Sequence, residues 1–152
     1  MFDFVNNIFK DLHPIIVHFP IALLVLSFGL TVVARHWPSL HEQTGLLLWI
    51  GGLATIPATA TGLISHEPYE ATVLHDVIET HQLLGMLGTV VMIGLVIWRY
   101  LSRRKGQDAG TSLLYLAFAV VGLVWLFLLG GTGGNLVYEY GVNVRGVNPL
   151  LP

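Results

Sequence analysis

Cysteine is absent from this chain of 152 residues. That excludes disulfides, thiolate zinc sites, iron–sulfur clusters and covalent c-type haem attachment. Charge is scarce as well: 11% of the residues are Asp, Glu, Lys or Arg, against about 25% in a soluble domain. The sequence has no P-loop, dinucleotide fingerprint or catalytic triad, so nothing in it supports enzymatic turnover. Its composition gives no indication of nucleic-acid binding. What it does have is apolar surface, 54% of the residues by count, and seven histidines to serve as metal-binding side chains.

The apolar residues fall in four runs, each close to the roughly 20 residues that cross a bilayer. They lie at about 14–35, 43–64, 80–100 and 112–131. Short connections join them, and the backbone of a spanning segment must satisfy its own hydrogen bonds. The expected fold is therefore all-α, a transmembrane four-helix up-down bundle forming one domain over residues 1–152. Alternation in "NLVYEYGVNV" predicts a short extended C-terminal tail over 132–152, capping one mouth of the bundle. The start, "MFDFVNNIFKDLH", holds one Lys against two Asp. It does not read as a cleavable signal, and its first part, "MFDFVNNIF", reads as a short amphipathic segment lying on the surface.

Five of the seven basic residues, Arg35, Arg99, Arg103, Arg104 and Lys105, fall in the first and third links. The positive-inside rule makes those links cytoplasmic. Both termini and the second link are then expected outside, in a multi-pass protein of the bacterial cytoplasmic (inner) membrane. On this placement His36 and His41 lie inside, while His13, His18, His66, His75 and His81 all reach the outer end.

Two of these histidines head matching helix faces. His18, Ala22, Val25 and Gly29 share one face, and His81, Gly85, Gly88 and Met92 share another at the same spacing. In each case small residues lie one and two turns below an imidazole. They allow close helix packing, or they leave room for a flat ligand. Pro20 should kink the first helix beside His18. His13 precedes Pro14 and is expected at the interface, and His66 is expected to be solvated in its loop. His75 lies about 120° around the helix from His81, and His13 about 140° from His18. One four-histidine site is therefore awkward, whereas two stacked or neighbouring sites are compatible with the spacing.

The stretches "HPIIVHFPIALL" and "GGNLVYEYGVNV" resemble the DUF2231 family of bacterial four-span membrane proteins, and the resemblance covers nearly the whole chain. Fusion of some members to Rieske-type iron–sulfur domains implies a redox context. The family tail reads closer to "LVYRHGVGV", with histidine where this chain has Tyr140. That difference turns attention to His18 and His81, or to a site completed by His13 or His75.

Three functions follow as alternatives. The first is a b-type haem protein for electron transfer, with His18 and His81 as axial ligands in the bundle core. Gly85 and Ala22 would line the slot, and Arg145 would lie near the propionates. Its partner would be a periplasmic or extracellular redox protein or a quinone. The second is a copper or zinc site drawing on His13 and His75, with Asp76 and Glu79 as oxygen ligands or ring-orienting groups. The third is a structural subunit of a larger membrane complex. The orientation is open to a direct check, since the chain has no native thiol. An impermeant thiol reagent on intact cells should label Ser65→Cys and spare Ser102→Cys. The reverse pattern would invert the placement of both ends.

Overall fold

A computed structural model describes residues 12–144 and 147. It contains four long helices: α1 (Leu12–Val33), α2 (His41–His66), α3 (His75–Arg104) and α4 (Leu113–Tyr138). Single 3₁₀ turns occupy the links, at Pro38–Leu40, Glu67–Tyr69 and Ala109–Thr111. Among the described residues there is no strand. The helices run 22 to 30 residues, or about 33–45 Å at 1.5 Å per residue, which exceeds the roughly 30 Å of a hydrocarbon core. All four are apolar enough to cross a membrane.

Their outward faces demand that setting. No more than 28% of the apolar window in any of the four helices is buried within the protein. Ile15, Val90, Leu113 and Phe127 are among the large apolar side chains left exposed. In water such a surface would drive aggregation; in lipid it costs nothing, because acyl chains are as apolar as leucine.

The bundle closes as a square. α1 packs against α2 and α4, and α3 packs against the same two, leaving α1 and α3 on a diagonal. Glycines set the close approaches. A Cβ on Gly122 of α4 would stand 2.6 Å from the Phe28 ring of α1, and one on Gly52 of α2 would stand 2.6 Å from a Val96 methyl of α3. Phe28, Leu24, Leu48, Leu95, Val96 and Tyr115 belong to the core that these contacts enclose. Few polar ties cross it. Ser27 Oγ donates to the Thr44 carbonyl at 2.8 Å, and the Thr59 and Thr89 hydroxyls pair at 2.7 Å. Each leaves no buried hydroxyl unpaired, as a hydrocarbon surrounding requires.

The helix ends follow local chemistry. Ser112 caps α4, accepting from the Tyr115 N–H at 3.1 Å. α3 stops at Gly106, whose φ of +73° suits the left-handed C′ position of a Schellman motif. Gln107 N–H returns to the Ser102 carbonyl and Gly106 N–H to the Arg103 carbonyl.

The tail departs from the sequence expectation. α4 runs on through Gly130, Gly131, Gly133 and Gly134 to Tyr138 rather than ending near 131. Alternation over "NLVYEY" suggested an extended segment, but the residues keep their helical hydrogen bonds because the neighbouring helices already hold this turn. The helix ends at Gly141, φ +62°. The chain then folds back so that Asn143 N–H donates to the Tyr69 hydroxyl at 3.0 Å. Arg145 and the expected amphipathic segment 1–9 lie outside the described residues.

Gly122→Ala should lower the thermal midpoint in detergent, since its methyl enters the Phe28 ring; overpacking of this kind costs about 1–3 kcal/mol. Gly94→Ala meets nothing within 4 Å and should leave the midpoint unchanged or slightly higher. Equal effects of the two substitutions would contradict the packing described.

Candidate metal centre

His13 enters at the first turn of α1 and His81 in the second turn of α3, on diagonal helices. Their rings nevertheless meet on the bundle axis, with centres 6.5 Å apart and planes at 74°. The approach is possible because each imidazole lies over a glycine. A Cβ on Gly62 of α2 would stand 3.0 Å from His13 Cε1, and one on Gly133 of α4 would stand 3.0 Å from His81 Cε1. All four helices therefore build the site.

Hydrogen bonds orient both rings in the same way. His13 Nδ1 lies 3.0 Å from the Ala58 carbonyl, which can only accept, so Nδ1 carries the proton. His81 Nδ1 lies 2.8 Å from Thr132 Oγ1. That hydroxyl donates its own hydrogen to the Leu129 carbonyl at 2.9 Å, so His81 Nδ1 is again the donor. Both Nε2 atoms keep a free lone pair. A ring N–H tied to an oxygen acceptor and a bare opposite nitrogen is the usual state of a metal-ligating histidine.

His18 stands elsewhere. It is exposed, its Nδ1 against the Pro14 carbonyl of its own helix, and Ala22 one turn below is exposed too. The face beginning at His18 therefore opens outward, and the ring that meets His81 is that of His13 rather than His18. The phase of α1 decides this: positions 13 and 18 are 140° apart, and the buried positions Pro20, Leu24, Ser27, Phe28 and Thr31 follow the face of His13. On α3, Gly85 has open space beside it, while Gly88 is filled by Trp125, whose Nε1 would lie 2.9 Å from an added Cβ. That indole N–H is buried with no hydrogen-bond partner among the described residues. Sequence reasoning overlooked Ala58, Thr61, Gly62 and Thr132. Their signal was present as "ATATG" and "GGTGG", small and hydroxyl residues at the depth of the histidines.

His75 does not join His13. It stacks on His66, ring centres 5.9 Å apart and planes at 20°. His66, expected to be solvated, is only 6% exposed, because the Glu67–Tyr69 turn and the start of α3 fold over it.

At the opposite end, Arg99 is 2% exposed and reaches Asp108 through Nε at 3.0 Å and Nη2 at 3.1 Å. Arg103 adds a bond to the same carboxylate at 3.0 Å, and Arg99 also donates to the His41 carbonyl. The third link, unremarkable as a sequence, is thus a polar knot joining α2, α3 and the start of α4. Partial burial pushes the Asp108 carboxyl up. Hydrogen bonds from Arg99, Arg103 and the Gly110 N–H, with the Arg99 charge, outweigh it and hold the carboxyl below its ordinary value.

The arrangement is that of a four-span membrane bundle with a paired-imidazole centre at one end and an arginine–carboxylate knot at the other. The chain belongs to the family described as "predicted membrane protein (DUF2231)", whose model matches residues 10–146. No curated protein and no solved structure matches it.

A depressed carboxyl contributes stability above its unfolded value, about 3.9, and loses it as pH falls through the lower folded value. The thermal midpoint of the unmodified protein should therefore exceed that of Asp108→Asn at neutral pH, with the gap closing below about pH 4. A gap independent of pH would remove the carboxylate from the account.

Proposed function

We propose that this protein is a membrane haem b protein for electron transfer, with the iron held between His13 and His81 near one end of the bundle. The observation that carries the reading is the matched state of the two rings: each Nδ1–H is tied to an oxygen and each Nε2 is free. Two imidazoles on one metal at about 2.0–2.1 Å place their ring centres roughly 5–6.5 Å apart, and these stand at 6.5 Å. The polar partners of the pair are neutral, a carbonyl and hydroxyls. A bare dication there would sit in a low dielectric with its charge uncompensated, whereas the porphyrin dianion balances ferrous iron. Haem b would supply one-electron chemistry. The chain's own part is to fix both rings, keep both ligand nitrogens unprotonated and screen the centre from water with apolar helices.

A second reading, a bare copper or zinc ion on the same pair, draws on Trp125. Its side chain fills the space against Gly88 two turns below His81, and a macrocycle reaching that depth would have to displace it. The positive-inside argument puts this end outside the bacterial inner membrane, facing an external redox partner or a quinone.

Protein purified in mild detergent after expression with ample haem should show the sharp reduced α-band of a low-spin, six-coordinate haem. His13→Ala and His81→Ala should each abolish that band or convert it to a high-spin spectrum, while His18→Ala leaves it intact. A colourless protein with one copper or zinc per chain, lost in the same two variants, would establish the second reading. Loss of the band in His18→Ala but not in His13→Ala would overturn the ligand assignment.

A further inference from the structure

We propose that the groove between α2 and α3 at the arginine end binds one anionic phospholipid, its phosphate held by Arg103 and its acyl chains lying along the outward faces of the two helices. The groove has a volume of about 490 Å³ and is lined by Gly45, Leu46 and Trp49 of α2 and by Arg99, Tyr100 and Arg103 of α3. That volume falls within the roughly 300–1,000 Å³ of small-molecule sites. Glycine brings the arginine there. A Cβ on Gly45 would stand 2.9 Å from Arg103 Nη2, so the guanidinium lies against the backbone of α2. Arg103 donates to the Asp108 carboxylate through Nε at 3.3 Å and Nη2 at 3.0 Å. Its side chain is 41% exposed, and Nη1 is left for a further acceptor. Arg99, buried behind it, donates to the same carboxylate. One carboxylate therefore serves two guanidinium ions.

Charge selects the occupant. Arg99, Arg103, Arg104 and Lys105 gather at this end of α3, and Arg104 lies over the Tyr100 ring at 5.9 Å. Against them stand Asp108 in the knot and Glu42 on the groove wall, so positive charge is in excess. A phosphodiester offsets that excess. A zwitterionic headgroup would bring a further cation to the same place. The surroundings select a lipid over free phosphate. Leu46, Trp49, Ile97 and Tyr100 are exposed on helices apolar enough to cross a membrane, so the groove opens toward acyl chains. The Trp49 and Tyr100 rings, 6.4 Å apart, are of the amphipathic kind that settles at the headgroup level. Basic pockets between spanning helices are suited to anionic headgroups for the same reason.

The test reconstitutes the full chain in vesicles of equal parts phosphatidylglycerol and phosphatidylcholine. The protein is then released into mild detergent and weighed intact, with its retained lipid, by native mass spectrometry. One phosphatidylglycerol per chain should be retained, preferred over phosphatidylcholine by about fivefold or more, the factor contributed by one basic residue near a membrane surface. Arg103→Gln should lower that preference about fivefold. Leu46→Trp, at an exposed position, fills the groove without touching the arginine knot and should also reduce retention, which keeps the test decisive where Arg103→Gln loosens the fold. Arg35→Gln, at the same end but outside the groove, should leave retention unchanged. Excess inorganic phosphate, compared with chloride at equal ionic strength, should not displace the lipid. Equal retention of the two lipids, retention of phosphatidylglycerol unchanged in both groove variants, an equal loss in Arg35→Gln, or displacement by inorganic phosphate would each overturn the assignment.

Discussion

An imidazole carried by a membrane-spanning helix must find an acceptor for its N–H inside the protein, and most of this structure depends on how that requirement is met. Water is not available to satisfy it, and an unpaired polar group in hydrocarbon costs several kcal/mol. For His13 the acceptor is a carbonyl of α2, and for His81 it is a hydroxyl of α4. Neither ring bonds to a neighbour on its own helix. The two bonds therefore fix the rotation of α1 against α2 and of α3 against α4. They also explain why glycine stands at positions 62 and 133: any side chain there would push the ring away from its acceptor.

The arginine end solves a related problem with the opposite chemistry. Arg99 is buried, and its guanidinium cannot lose its charge. It is accommodated by a carboxylate from the following link, the carbonyl of His41 at the start of α2, and the Tyr115 hydroxyl, with the guanidinium 5.2 Å from the Tyr115 ring centre. The Asp108 carboxylate also caps the turn that leads into α4 through the Gly110 N–H at 2.9 Å. One side chain thus couples charge neutralisation to the entry geometry of the last helix. Between the ends, packing rests on apolar contacts, small residues and a few hydroxyl bonds. Polar specificity is concentrated where the helices begin and end.

The sequence disclosed the four spans and the gathering of five histidines at one end, because both depend on composition and chain direction alone. It did not disclose which histidines meet. His18 and His81 head faces of identical spacing, but spacing fixes a face only relative to its own helix. The rotation of α1 is set by contacts such as Phe28 on Gly122, which no single-helix pattern contains. The same limit hid the burial of His66, which depends on a loop folding back, and the role of Asp108, whose partners lie nine and five residues before it across a turn. The helical course of "GGTGGNLVY" was obscured for another reason. Glycine is a poor helix former in water, whereas at a four-helix junction its lack of a side chain is what admits His81.

The two histidine pairs differ most in the charge around them, and this difference is what separates their chemistry. The axis pair offers two neutral donors with neutral polar partners. Such a pair stabilises a centre whose charge is balanced by its own ligand, or a monovalent ion, far better than a bare dication. The hairpin pair is held differently: His66 stacks on His75, and the carboxylates of Asp76 and Glu79 stand exposed beside His75 at the mouth of the bundle. A charge there keeps its contact with water, whereas a charge on the axis would have to be drawn into the bundle and compensated within it.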